Sequence, residues 1–246
     1  MKKTCIILTA LIALMLTACH RRGAALRFET LTLDTLIGDA TYECRVEYRF
    51  ATIANAAKSE VLRTIERRNA DYFFELEAFD GTASEAMTES LRQLDEELRL
   101  PEAAKPSVGR MQCEVSVESE GAVTDTLLNY TIYRFNYLGG AHGMYTTAYH
   151  TYSLTTGYEY SAADLFGEER MEALTALIRK KLYEKYEATN DDELFACGFF
   201  PEYIAVTNNF KITRESVVFL YNPYEIACYA VGDIEVAVSR EELDAL

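Results

Sequence analysis

The chain has 246 residues, 49% of them hydrophobic, with 39 acidic against 24 basic side chains and a formal net charge of −15. That apolar content excludes a disordered chain, and the length suffices for a sizeable core in one or two domains. The acidity repels phosphates, which argues against nucleic acid as a partner and suits encounter with a cationic one.

The chain opens with Lys2 and Lys3, followed by an apolar run from Cys5 to Thr17 that is too short to span a membrane comfortably. The run ends in Leu16-Thr17-Ala18-Cys19, which resembles the bacterial lipobox. Residues 1–18 are therefore expected to be a lipoprotein signal peptide, Cys19 the lipidated residue, and 19–25 a tether. The expected location is the cell envelope, lipid-anchored to a membrane. His20-Arg21-Arg22 lacks an acidic run after the cysteine, which points to the periplasmic side if the cell has two membranes.

Leu26 to Leu36 alternates loosely as a strand, and Gly38-Asp39 signals a turn. In Tyr42–Phe50, the residues Tyr42, Cys44, Val46, Tyr48 and Phe50 alternate with Glu43, Arg45, Glu47 and Arg49, the pattern of a half-buried strand. A helical stripe then runs from about Ala54 to Ala78. Met87, Leu91, Leu94 and Leu98 mark a second helix, with Thr82 or Ser84 as its cap and Pro101 and Pro106 beyond its end. Met111, Cys113, Val115 and Val117 form the next strand, with Gly121 as a hairpin turn and Val123–Phe135 returning. A glycine-rich segment, 137–143, precedes a strand from Met144 to Leu154 and a turn at Thr156-Gly157. A helix is expected over Glu168–Tyr186, then a loop over Ala188–Glu193. Short strands are expected at Phe199–Val206, Asn209–Thr213, Val217–Tyr221 and Ile234–Val238, with a terminal helix at Arg240–Ala245. The class is α+β, with mixed or antiparallel sheets and packed helices in two adjoining modules, 26–136 and 137–246.

Two strings carry a resemblance. One is Gly139-Gly140-Ala141-His142-Gly143 followed by a strand, a Thr-Gly turn and Ala163-Asp164-Leu165-Phe166. The other runs from Val218 through Tyr221-Asn222-Pro223-Tyr224-Glu225 to Gly232. Together they resemble the C-terminal module of an anti-sigma-factor ectodomain that serves as a lysozyme receptor, a module type also found beside peptidoglycan N-acetylglucosamine deacetylases. Residues 26–135 resemble its usual preceding partner. The resemblance implies an extracytoplasmic α+β domain that binds a lysozyme-like basic protein or cell-wall glycan without catalysing a reaction. Only Met1–Thr4 precede the apolar run, so a cytoplasmic sigma-binding segment is not expected. A peptidoglycan-modifying enzyme and a structural partner of another envelope protein are the alternatives.

The candidate ligand-binding residues are Gly139, Gly140, His142, Gly143, Tyr145, Tyr221, Tyr224, Glu225 and Tyr229. Glycines let a backbone bend or approach a ligand closely, while tyrosines can stack on sugars or anchor an interface. Both features also serve ordinary bends and cores. No catalytic residue is assigned, because Glu225 is a lone carboxylate and glycoside hydrolysis requires a placed pair. His142 and His150 share strand parity but lack a third ligand, so neither a metal nor a cofactor is expected. Cys44, Cys113, Cys197 and Cys228 are disulfide candidates whose three possible pairings stay open.

Overall fold

A computed structural model of the chain describes residues 26–99 and 109–246. The leader, Cys19, the tether before Leu26, and Pro101 and Pro106 lie outside the described residues. The fold is α+β, with a five-stranded mixed sheet, a three-stranded antiparallel sheet and packed helices. Among the described residues, no helix is long and apolar enough to cross a membrane.

The first sheet starts with a hairpin of β1 (Phe28–Gly38) and β2 (Tyr42–Ile53). The alternating β2 residues Tyr42, Cys44, Val46, Tyr48 and Phe50 are all buried. They pack with Ile65, Phe73 and Phe74 of α1 (Glu60–Phe74) and with Ala86 and Met87 of α2 (Ala83–Leu98). The Phe50 and Phe73 rings meet edge-on at 5.0 Å. Thr82 caps α2 in a reciprocal exchange of hydrogen bonds with Glu85. β3 (Met111–Thr124) runs parallel to β2, an arrangement that needs the long crossover supplied by the two helices. β4 (Leu127–Tyr137) and β5 (Met144–Ser153) complete the order β1-β2-β3-β4-β5. The boundary expected at 136/137 thus falls inside one sheet, which extends through Ser153.

Gly121 is not the hairpin turn. It lies within β3 opposite Tyr130, and the chain reverses at Asp125-Thr126. A Cβ at position 121 would come within 2.1 Å of the Phe28 ring, so the glycine makes room for that ring. Cys44 and Cys113 are paired positions of β2 and β3, and both are buried. Burial, with the Cys113 thiol alongside, pushes the Cys44 thiol up to about 12, which keeps it protonated. All four disulfide candidates are free thiols, with Cys197 exposed and Cys228 half-buried.

The second core lies beneath β6 (Phe210–Ile212), β7 (Ser216–Tyr221) and β8 (Ile234–Ser239), which pair in that order. α3 (Ala162–Phe166) and α4 (Met171–Lys185) contribute Ala162, Leu174, Ile178 and Leu182. The segment expected as a loop at 188–193 instead leads into α5 (Asp191–Ala196), because the Asn190 side chain accepts the Glu193 N–H and starts a helix. The strand expected over 199–206 is replaced by a 3-10 turn at Pro201–Tyr203. Proline favours the first turn of a helix and cannot donate to a ladder. Only Phe199 retains a bridge, to Ala227. α6 (Arg240–Asp244) ends the chain.

The two sheets are joined by side chains that substitute for missing strands. Asn129, buried on β4, donates to the Ile212 carbonyl at 2.8 Å and accepts the Ile212 N–H at 2.9 Å. Thr151 donates to the Phe210 carbonyl at 3.2 Å. In return, Asn209 accepts the Tyr149 N–H and Asn222 accepts the Thr147 N–H, each at 2.7 Å. Both amides also donate to the Thr147 carbonyl. The free edge of β6 is therefore covered by the first sheet, and Thr147 and Tyr149 on the edge of β5 by the turns flanking β6 and β7.

Replacing Asn129 with leucine keeps the bulk but strands the Ile212 N–H and C=O. Asn129→Leu should cost about 2–4 kcal/mol, read as a lower urea midpoint with an unchanged slope. Glu66 on α1 gives the pH counterpart. It accepts the Thr52 hydroxyl at 2.5 Å and the Ile53 N–H at 2.7 Å. Burial raises its carboxyl above the ordinary 4.5 despite those bonds. The folded state therefore holds this proton more tightly than the unfolded chain. The associated stability is full below the ordinary carboxyl range and is lost as pH rises through the raised value. Glu66→Gln should accordingly raise Tm at neutral pH, and the gain should vanish in acid.

Candidate functional site

Residues Thr146–His150 of β5 form the floor of an open groove of about 690 Å³. Its lining comes from four places: α1 (Arg68, Tyr72), β5 (Thr146–His150), the segment Tyr158–Ser161, and the polar turns bearing Asn208, Asn209, Asn222 and Glu225. A second hollow of about 450 Å³ lies on the outer side of α1. Its arginines are already engaged, Arg63 with Glu60 and the Ala57 carbonyl, Arg67 with the Phe79 carbonyl.

One side of the groove is organised around Glu159. The chain turns back after β5, and Tyr158–Tyr160 pair with its last residues: Ser153 N–H donates to Tyr158 O and Tyr160 N–H to Thr151 O, each at 2.8 Å. This sets Glu159 opposite Tyr152. The Glu159 carboxylate then meets His150 Nδ1 at 2.7 Å and accepts the Tyr72 hydroxyl at 3.0 Å. The Arg68 guanidinium lies 4.0 Å away. The rings of Tyr72 and His150 stack at 4.1 Å, 8° from parallel. Burial and the neighbouring carboxylate push the Tyr72 phenol above its ordinary range, so it remains a donor. Beneath the groove, Tyr152 is fully buried, and among the described residues its hydroxyl has no hydrogen-bond partner.

The glycine-rich segment and the Tyr221–Tyr229 stretch meet beside this groove. His142 packs on Tyr229 at 4.3 Å, and Tyr145 and Tyr224 approach the same ring at 5.7 and 5.8 Å. Tyr229 donates to the Gly143 carbonyl at 2.9 Å, and His142 Nδ1 lies 2.9 Å from the same oxygen. Tyr224 is 52% exposed and holds a left-handed backbone, φ 72°. The carboxylate of Glu225 accepts the Asn222 N–H at 2.9 Å and closes this turn.

His142, Gly143, Tyr145, Tyr224 and Tyr229 are thus brought together, and Glu225 lies next to them in the groove. Gly139 and Gly140 are exposed in the preceding bend, where the Tyr137 hydroxyl donates to Gly140 O at 3.1 Å. Tyr221 is elsewhere. It is buried in the second core and donates to the Ala205 carbonyl at 2.7 Å. His142 and His150 do not converge, since each stacks on a different tyrosine. Among the described residues, no three His, Cys, Asp or Glu side chains gather as metal ligands. Sequence reasoning missed Arg68, Tyr72 and Glu159. The one signal available was the parity that puts His150 and Tyr152 on the helix-covered face of β5.

The groove presents ring faces, amides, hydroxyls and a carboxylate balanced by Arg68. Such chemistry suits a polar ligand with flat apolar faces.

Residues 163–241 match a family described as a protein of unknown function, DUF3298. No curated protein matches the chain. A solved DUF3298-family protein from Bacteroides fragilis NCTC 9343 is similar over 90% of this chain and 93% of its own, with 24% identity and a TM-score of 0.81. A second, from Pseudomonas aeruginosa PAO1, is similar over 90% of this chain and 94% of its own, with 19% identity and a TM-score of 0.62. Residues 163–241 are thus similar to the DUF3298 family, and the fold is shared with the two solved DUF3298-family proteins.

Proposed function

We propose that this chain is a non-enzymatic lipoprotein of the cell envelope whose β5 groove binds cell-wall glycan. The observation that carries this reading is the Tyr72–His150 stack lining the polar groove, with a second aromatic cluster next to it. Tyr72 over His150 forms one platform, and His142, Tyr145, Tyr224 and Tyr229 form another beside it. Pyranose rings bury their C–H faces on such platforms and offer hydroxyl and acetamido groups to amides and carboxylates at the sides. The resemblance to the lysozyme-receptor and deacetylase-associated modules supports the same envelope setting. In this reading Cys19 carries the lipid and the domain sits on the periplasmic side of a two-membrane cell.

A lysozyme-like basic protein is the second reading, favoured by the net charge of −15. The groove itself supports it less, because its carboxylates Glu159 and Glu225 are offset by Arg68 and by the turn that Glu225 closes.

Titration calorimetry of the soluble domain with N-acetylglucosamine oligomers should show saturable binding that survives 0.5 M salt (about 4 Å Debye length). Saturable binding of lysozyme alone, weakening steeply with salt, would favour the second reading. Tyr224→Gly should separate stability from recognition. It relieves a left-handed tyrosine, worth about 1 kcal/mol, while removing an exposed ring. Tm should hold or rise, and glycan affinity should fall about tenfold. For the anchor, cells fed labelled palmitate should label the wild-type chain, and Cys19→Ala should lose the label.

A further inference from the structure

His150 is held on three sides. Tyr72 covers one ring face at 4.1 Å, Glu159 engages Nδ1 at 2.7 Å, and the β5 backbone fixes its root. The other neighbours of Glu159 are a tyrosine hydroxyl and a guanidinium, both donors. A carboxylate surrounded in this way accepts from Nδ1, which places the neutral imidazole's proton on that nitrogen. In that neutral ring Nε2 is the lone-pair acceptor. It has no hydrogen-bond partner among the described residues, and His150 lines the groove with its side chain 14% exposed.

We propose that His150 Nε2 is the groove's ligand-reading acceptor, taking a hydrogen bond from a sugar hydroxyl or acetamido N–H. Glu159 acts as the positioning residue that fixes the tautomer. This rests on the glycan reading and adds a selection rule. A ligand must bring a donor to Nε2 while its ring lies along the Tyr72–His150 platform. A ligand that offers only an acceptor there, such as a carboxylate, meets lone pair against lone pair and is disfavoured.

The test uses the soluble domain with the N-acetylglucosamine tetramer as probe. Nitrogen-15 NMR of labelled histidine, under the conditions of the binding assay, should show His150 as the Nδ1–H tautomer; a ring protonated on both nitrogens would overturn the inference. Glu159→Ala should shift it toward Nε2–H. His150→Phe keeps a ring for Tyr72 to stack on and should bind the tetramer at least tenfold more weakly at unchanged Tm. A wild-type domain that binds, with His150→Phe binding equally well, would overturn the inference and leave the glycan reading standing. An Nε2–H tautomer in the wild type would overturn it as well. A wild-type domain that does not bind the tetramer removes both.

Discussion

The fold depends on amide side chains doing the work of β-strands. A sheet edge is a row of peptide groups that need partners, and two edges lie at the junction between the modules. Asn129 satisfies both groups of Ile212, and Asn209 and Asn222 satisfy Thr147 and Tyr149. An asparagine amide has the donor and acceptor of a peptide unit, so it can terminate a ladder without extending it. Apolar contact alone would hold the sheets together but would leave these groups bare at the join. The exchange is reciprocal, which makes neither module complete without the other.

The groove follows from the same device. A true sixth strand beside β5 would fill the space over its edge. Short amides close the hydrogen bonds while leaving room above them, and the segment through Glu159 pairs only with the end of the strand. The surviving gap is lined by whatever β5 projects towards α1, and this brings His150 under Tyr72. Its polarity is likewise set by the closing residues, so the edge treatment and the groove lining share side chains.

Much of the fold was legible from period alone. Tyr42–Phe50 alternates strictly and is buried strictly on one side. The Met87–Leu98 stripe gave a helix, and of its two candidate caps, Thr82 and Ser84, Thr82 holds the position. Tertiary reasons governed the misses. Gly121 reads as a turn in isolation, but its absent side chain accommodates Phe28 from two strands away. α5 has too few apolar residues to show a period, although the cap at Asn190 was readable in principle. The aromatic group around Tyr229 could be found because its members lie in two compact strings. The Glu159 group could not, since Arg68, Tyr72, His150 and Glu159 come from three segments that only the register of β5 aligns. Tyr221 looked like its tyrosine neighbours, and its position on β7 sends it inward.

The parallel pairing of β2 with β3 has a consequence for how the chain is born. Cys44 finds its neighbour only at Cys113, and Thr147 waits for Asn222. Non-local pairings of this kind slow folding and leave strand edges open in the meantime. A chain threaded through a translocation pore from its N-terminus would emerge with the outer edge of β5 at Thr147 and Tyr149 unpaired until nearly all of it had crossed. For such a chain, a chaperone on the far side that shields unpaired strands would protect the longest-lived intermediate.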